Sequence, residues 1–272
     1  MQSSAEVAKY YVSAGAAKAA LPFYKKIILS ISAGIFIALA GVGATMGGLS
    51  VSAPSVAKLI SACIFPTGLA ATLLTGSELF TGNMLIIISA NEKAVKVSEM
   101  LKTWAVIYAG NFIGAVLIAA AVVYGNTFSA LGNALAGAAI NIAAAKTGLS
   151  FSAALISGIL CNILVCAAVW IACAAETVSG KIIGLYFPVM LFVLCGFEHS
   201  VANMYYISSA LFALNVPDYA AAATAGVSGL TWSAFFLKNL LPVTIGNIIG
   251  GSFIIGAAQW AVHLRLPKTG RK

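Results

Sequence analysis

The chain has 272 residues, 61% of them apolar and only 8% charged, with 15 Lys and Arg against 7 Asp and Glu for a net charge of +8. Soluble domains carry about 25% charged residues, so this composition cannot cover a water-facing surface and predicts an integral membrane protein. It excludes a secreted enzyme, and because no basic run is interleaved with aromatics, the positive charge does not point to nucleic acid.

About 20 apolar residues cross a bilayer, and on that measure the chain divides into six all-α spans. The first runs from about 27 to 50; Lys25 and Lys26 before it imitate a signal peptide, but the apolar run is too long for one. The second, from about 56 to 90, is too long for one straight crossing and has a polar, Gly-containing interruption. Spans at about 103 to 124 and 151 to 174 follow. The fifth, from about 182 to 214, is interrupted like the second, and the sixth covers about 233 to 263. Irregular backbone at membrane depth survives only where protein or a water-filled cavity satisfies its polar groups, so broken second and fifth helices point to a pathway.

With both termini on one side, that side holds Lys9, Lys18, Lys25, Lys26, Lys93, Lys96, Lys102, Lys181, Arg265, Lys268, Arg271 and Lys272, and the other only Lys58, Lys146 and Lys238. Twelve cations against three put both termini in the cytoplasm. Tyr10, Tyr24, Trp104, Tyr186 and Trp260 fit anchors at the interfaces, with core positions as the alternative for some of them.

The two halves repeat each other. Gly76-x-Glu78 with Asn83 recurs as Gly196-x-Glu198 with Asn203, and Gly110-Asn111-x-Ile113-Gly114 recurs as Gly246-Asn247-x-Ile249-Gly250. Three spans separate the copies, and an odd number forces opposite orientations, so residues 25–125 and 150–264 read as inverted repeats whose breaks meet near the midplane.

His199, one of two histidines, falls in the second break. An ionisable group at that depth costs about 2.5–3.5 kcal/mol on insertion scales, so it is paired or lines a cavity. Imidazole titrates near neutrality and can offer a small anion a proton or a hydrogen bond; the blander alternative is a neutral histidine bonded inside the bundle. Glu78 and Glu198 are expected to cap the half-helices that follow the breaks. Asn111, Asn162 and Asn247 read as amides that hold helices together. Phe65, Leu69, Leu79, Phe80 and Phe192 flank the breaks, either as core or as apolar constrictions that bar hydrated ions. Lys146, on the outer side, draws anions to a vestibule or simply snorkels. Cys63, Cys161, Cys166, Cys173 and Cys195 read as small core residues, without metal or disulfide spacing. Leu266-Pro-Lys-Thr-Gly270 matches a wall-sorting motif but lacks the apolar tail that must follow it, and no hydrolase or P-loop motif occurs.

The segments Gly76-Ser-Glu-Leu-Phe-Thr-Gly82, Cys161-Asn-Ile-Leu-Val-Cys-Ala-Ala-Val-Trp170, Gly196-Phe-Glu-His-Ser-Val-Ala-Asn-Met204 and Pro242-Val-Thr-Ile-Gly-Asn-Ile-Ile-Gly-Gly251 resemble the formate/nitrite transporter family. The resemblance implies an aquaporin-like protomer in a homopentamer of the inner membrane, with a pore in each protomer and no cofactor or metal. It implies that His199 is the central pore histidine with Thr81 and Asn247 beside it. Glu198, Lys146 and Asn162 would tune it or draw anions in, with Phe65 and Phe192 at the outer constriction and Leu69 and Leu79 at the narrow gates. It also implies a cytoplasmic N-terminal helix within residues 1–24. Formate is the expected permeant, with nitrite and hydrosulfide as alternatives and an aquaporin-like neutral-solute pore as a remoter one. An enzyme using His199 and Glu198 as acid and base is disfavoured, since adjacent helical residues point about 100° apart.

Overall fold

The structure is a computed structural model that describes residues 1–265, all of its regular elements being helical. In chain order these are α1 (Ser4–Ala20), α2 (Phe23–Gly48), α3 (Pro54–Leu74), α4 (Gly82–Asn91) and α5 (Val97–Tyr124). Then come α6 (Ala130–Thr147), α7 (Phe151–Ala174), α8 (Val178–Cys195), α9 (Ser200–Ala213), the short α10 (Pro217–Ala221) and α11 (Trp232–Arg265). The four uninterrupted spans expected from hydropathy correspond to α2, α5, α7 and α11. The two broken ones are α3 with α4 and α8 with α9.

The breaks have a local cause. Gly76 and Gly196 adopt φ of +71° and +73°, a left-handed turn that ends α3 and α8 and that a side chain would oppose. Within each half, α2 packs along α5 and α7 along α11. A Cβ on Gly114 would collide with Ile31 O, and one on the repeat-related Gly250 with Ile159 O, so these glycines set how closely the paired helices approach. The half-helices then cross over: α4 lies against α11, and α9 against α5. This interlock puts both breaks in the middle of the bundle.

One helix was not foreseen. Residues 126–149 fall between the two expected repeats as a connection, yet they contain α6. Leu131, Gly132 and Asn133 take left-handed conformations, and the regular helix begins beyond them. Its buried face, including Leu135, Ala139 and Ile140, packs on α9. With α6, seven described helices are long and apolar enough to cross a bilayer.

Helix α1 lies across one end of the bundle, opened by a capping box in which the Ser3 hydroxyl and the Glu6 carboxylate reach each other's backbone N–H. Tyr11 stacks on Trp170 of α7, with ring centroids 5.5 Å apart, and the Ser89 hydroxyl donates to Tyr11 O. The end covered by α1 is called proximal below and the other distal. Two readings change. Trp104 is buried and donates to Asn83 O rather than anchoring an interface. Cys195 is exposed, while Cys161 and Cys166 are core as expected. The Leu266–Gly270 motif and the cations Lys268, Arg271 and Lys272 lie outside the described residues.

Candidate functional site

Each break is held open by one asparagine. Asn111 of α5 donates to Ser30 O (2.7 Å) and Glu78 O (2.9 Å) and accepts from Phe80 N–H (2.8 Å). Asn247 of α11 donates to Gly158 O (2.8 Å) and Glu198 O (3.0 Å) and accepts from Ser200 N–H (2.9 Å). Both amides are fully buried. They do more than join helices, because they satisfy backbone groups that a broken helix leaves without partners in a water-poor interior.

The glutamates do not cap helices. Glu78, 4% exposed, accepts at Oε2 from Lys18 Nζ (2.6 Å) and Asn83 Nδ2 (2.9 Å). Glu198, likewise 4% exposed, accepts at Oε1 from Lys146 Nζ (2.7 Å) and at Oε2 from Asn203 Nδ2 (2.6 Å) and Asn239 Nδ2 (3.2 Å). A carboxylate buried so deeply requires a cation or several donors, and here each takes both. The cap of α9 is His199, whose Nδ1 accepts from Ala202 N–H at 3.0 Å. Asn83 and Asn203 were visible in the repeat. Lys18 and Asn239 were missed: only the parity of Glu78 with Glu198, which demands a second lysine, signalled Lys18, and nothing signalled Asn239.

Two cavities of about 570 Å³ enter from opposite ends. The proximal one is lined by Lys18, Glu78, Asn83, Leu69 and Leu79 and roofed by Tyr10 and Tyr11 of α1. The distal one is lined by Lys146, Glu198, Asn203, Phe65, Phe192 and His199. Each therefore holds a Glu and an Asn from repeat-related places and a Lys from outside the repeats, Lys18 before the first and Lys146 between the two, backed by two apolar side chains. Phe65 and Phe192 meet edge to face at 5.7 Å, and Phe192 stacks on the His199 ring at 5.8 Å. Phe80 lines neither cavity and packs on Tyr108 of α5.

Between the cavities, the Thr81 hydroxyl and His199 Nε2 lie 2.8 Å apart, Thr81 fully buried and His199 3% exposed. This contact joins the two breaks. Because Nδ1 accepts a backbone N–H, the neutral ring carries its proton on Nε2 and donates it toward Thr81. Asn162 stands apart from Lys146 and Glu198: it donates to Asn247 O (2.6 Å) and Thr81 O (3.3 Å), fixing the Thr81 backbone against α11. His199 and Glu198 have separate partners and do not converge on one point. No group of His, Cys, Asp and Glu suited to a metal occurs among the described residues.

The family model described as Formate/nitrite transporter matches residues 5–261. A probable formate transporter of Methanothermobacter thermautotrophicus is 35% identical over 97% of this chain and 98% of its own. The formate channel FocA of Escherichia coli (strain K12) is 33% identical over 96% of this chain and 94% of its own. Among solved structures, a pentameric formate channel with formate bound has a TM-score of 0.82 at 34% identity, covering 89% of this chain and 98% of that one. These relatives are channels and transporters, not enzymes. By both sequence and architecture, the chain is a member of the formate/nitrite transporter family.

Proposed function

We propose that the protein moves small monovalent anions, formate foremost, along a path in each protomer from the proximal cavity past Thr81 and His199 to the distal cavity. The observation that carries this reading is the Thr81–His199 hydrogen bond, which joins the two breaks, with a lysine-bearing cavity on either side. A carboxylate arriving there exchanges its hydration for Nε2–H and the Thr81 hydroxyl. The apolar pairs Leu69 with Leu79 and Phe65 with Phe192 exclude ions that keep their water shell. Formate is favoured over nitrite and hydrosulfide by the names of the relatives.

The histidine works as a neutral donor. Protonating Nδ1 sets it against Ala202 N–H, so an imidazolium forfeits the helix cap, a loss of about 0.5–2 kcal/mol. Residues 25–125 and 150–264 act as the inverted repeats, with residues 1–24 on the cytoplasmic side, as the cation count supports. The homopentamer follows from the likeness to the pentameric formate channel.

The test is a liposome flux panel of formate, nitrite, hydrosulfide, acetate and lactate, with and without a pH gradient, on the wild type and His199→Asn. Asparagine is a good N-cap, so the fold stays while the Nε2 donor goes. Formate flux in the variant drops by about tenfold, the loss of one hydrogen bond to a charged group, and selectivity against chloride falls. Unchanged flux and selectivity would remove His199 from the path. Fast water flow without anion flux would mean a neutral-solute pore.

A further inference from the structure

Of the lysines lining the cavities, two are neutralised: Lys18 by Glu78 and Lys146 by Glu198. The side-chain amines of two others make no ion pair or hydrogen bond among the described residues. Lys58, exposed on the first turns of α3, lines the distal cavity, and its Nζ lies 3.9 Å from where a Cβ would stand on Gly196, at the very turn of the second break. Lys181, on the first turn of α8, lines the proximal cavity. The half-helices that bear them, α3 and α8, are repeat-related, so each mouth combines one neutralised and one free lysine. The acid nearest Lys181 in sequence, Glu176, is 64% exposed and lies 3.0 Å from the terminal amine.

We infer that Lys58 and Lys181, rather than Lys18 and Lys146, supply the charge that concentrates monovalent anions, Lys58 in the distal mouth and Lys181 in the proximal one. This rests on the anion-transport reading above. A lysine bound to a carboxylate presents almost no net field to an arriving ion, whereas a free one attracts it over about a Debye length, some 8–10 Å at ordinary salt. Low-dielectric walls focus that field in the cavity. The two lysine types have separate tasks: the paired ones hold the breaks, the free ones fill the vestibules.

The experiment measures initial formate flux against formate concentration in vesicles of defined orientation, at about 10 mM and about 500 mM ionic strength. Lys58→Gln raises the half-saturating concentration two- to fivefold for formate entering from the distal side at low salt, as a unit charge a few ångströms away from an anion in water implies. The saturated rate stays within about twofold, entry from the proximal side is unaffected, the difference disappears at high salt, and Lys58→Arg restores wild-type behaviour. Lys181→Gln shows the same pattern from the proximal side. A defect equal from both sides, one that persists at high salt, or no defect at all overturns the inference while leaving formate transport intact. A wild type that moves nitrite or hydrosulfide instead corrects the permeant, and the side- and salt-dependence is then read with that anion. A wild type that moves no anion overturns both.

Discussion

The two lysine–glutamate pairs offer a controlled comparison, because they share chemistry and repeat-related glutamates but differ in the helices that bring the lysines. By side chain alone, Lys146 is 16% exposed and Lys18 35%, over glutamate side chains at 5% and 6%. Lys146 stands on α6, packed into the bundle on α9, and is the less exposed of the two lysines, so water replaces its ammonium beside Glu198 less readily. Breaking a buried pair from one side costs about 3–5 kcal/mol. The bonds that Glu198 keeps from Asn203 and Asn239 bring the expectation for Lys146→Met to about 2–4 kcal/mol. Lys18 stands on α1, outside the bundle and over an open cavity, where water can take its place, so Lys18→Met costs about 1 kcal/mol or less. Thermal unfolding in detergent reads the difference. At about 2–4 °C per kcal/mol the first variant melts about 4–16 °C lower and the second within about 4 °C of the wild type. Adding Glu198→Gln to Lys146→Met removes the stranded charge and recovers most of the loss. Equal losses for the two lysines, or no recovery in the double variant, would refute the argument from burial.

Other outcomes follow from local geometry. Gly76→Ala meets no neighbour within 4 Å, so its cost is conformational alone, about 1–2 kcal/mol for a left-handed residue, and Gly76→Asn is milder because Asn tolerates that region. A Gly76→Asn variant no more stable than Gly76→Ala would mean that φ is not what the position demands. In α1, Ser3→Ala removes the cap and costs the helix about 0.5–2 kcal/mol, read as faster amide exchange over residues 4–20. The Ser3 N–H and hydroxyl hold the Glu6 carboxyl below its ordinary 4.5. A depressed carboxyl stabilises above its unfolded value and loses that contribution as pH falls through its folded one. Exchange in α1 therefore quickens in acid below pH 4.5 in the wild type and less so in Ser3→Ala, which loses the hydroxyl donor to Glu6 but keeps the backbone N–H.

Much of this was legible in the sequence because lipid makes hydropathy a strong signal and charge a scarce one. The broken spans announced themselves by being too long, and their purpose by the recurring Gly-x-Glu with Asn. What escaped shows the limits of each signal. Helix α6 is Ala-rich and follows a cluster of turn formers, so its apolar run did not stand out from a loop, although α9 gives it a surface to pack on. The glutamates were assigned to caps because a carboxylate after a glycine turn suits an N-terminus, but the imidazole one residue later reaches the same N–H and frees Glu198 for Lys146. Nothing local in the sequence ties Lys18 to Glu78, since the pair depends on how α1 folds back over the bundle. Phe80 alternates with Leu79 around the break, and only the coordinates put it on Tyr108 instead of a cavity.

The asparagine braces bear on the order in which the chain is made. Asn111 binds the first break to α2 and belongs to α5, the last helix of its own half; Asn247 binds the second break to α7 and belongs to α11, again the last of its half. The first brace therefore needs no residue of the second half, and a nascent chain can close it without an open, unsatisfied backbone waiting in the membrane for α7 to arrive. The contacts between halves, His199 with Thr81 and Asn162 with Thr81 O, then form between two units that have already closed. Construction by duplication of such a unit requires only that each copy bring its own brace.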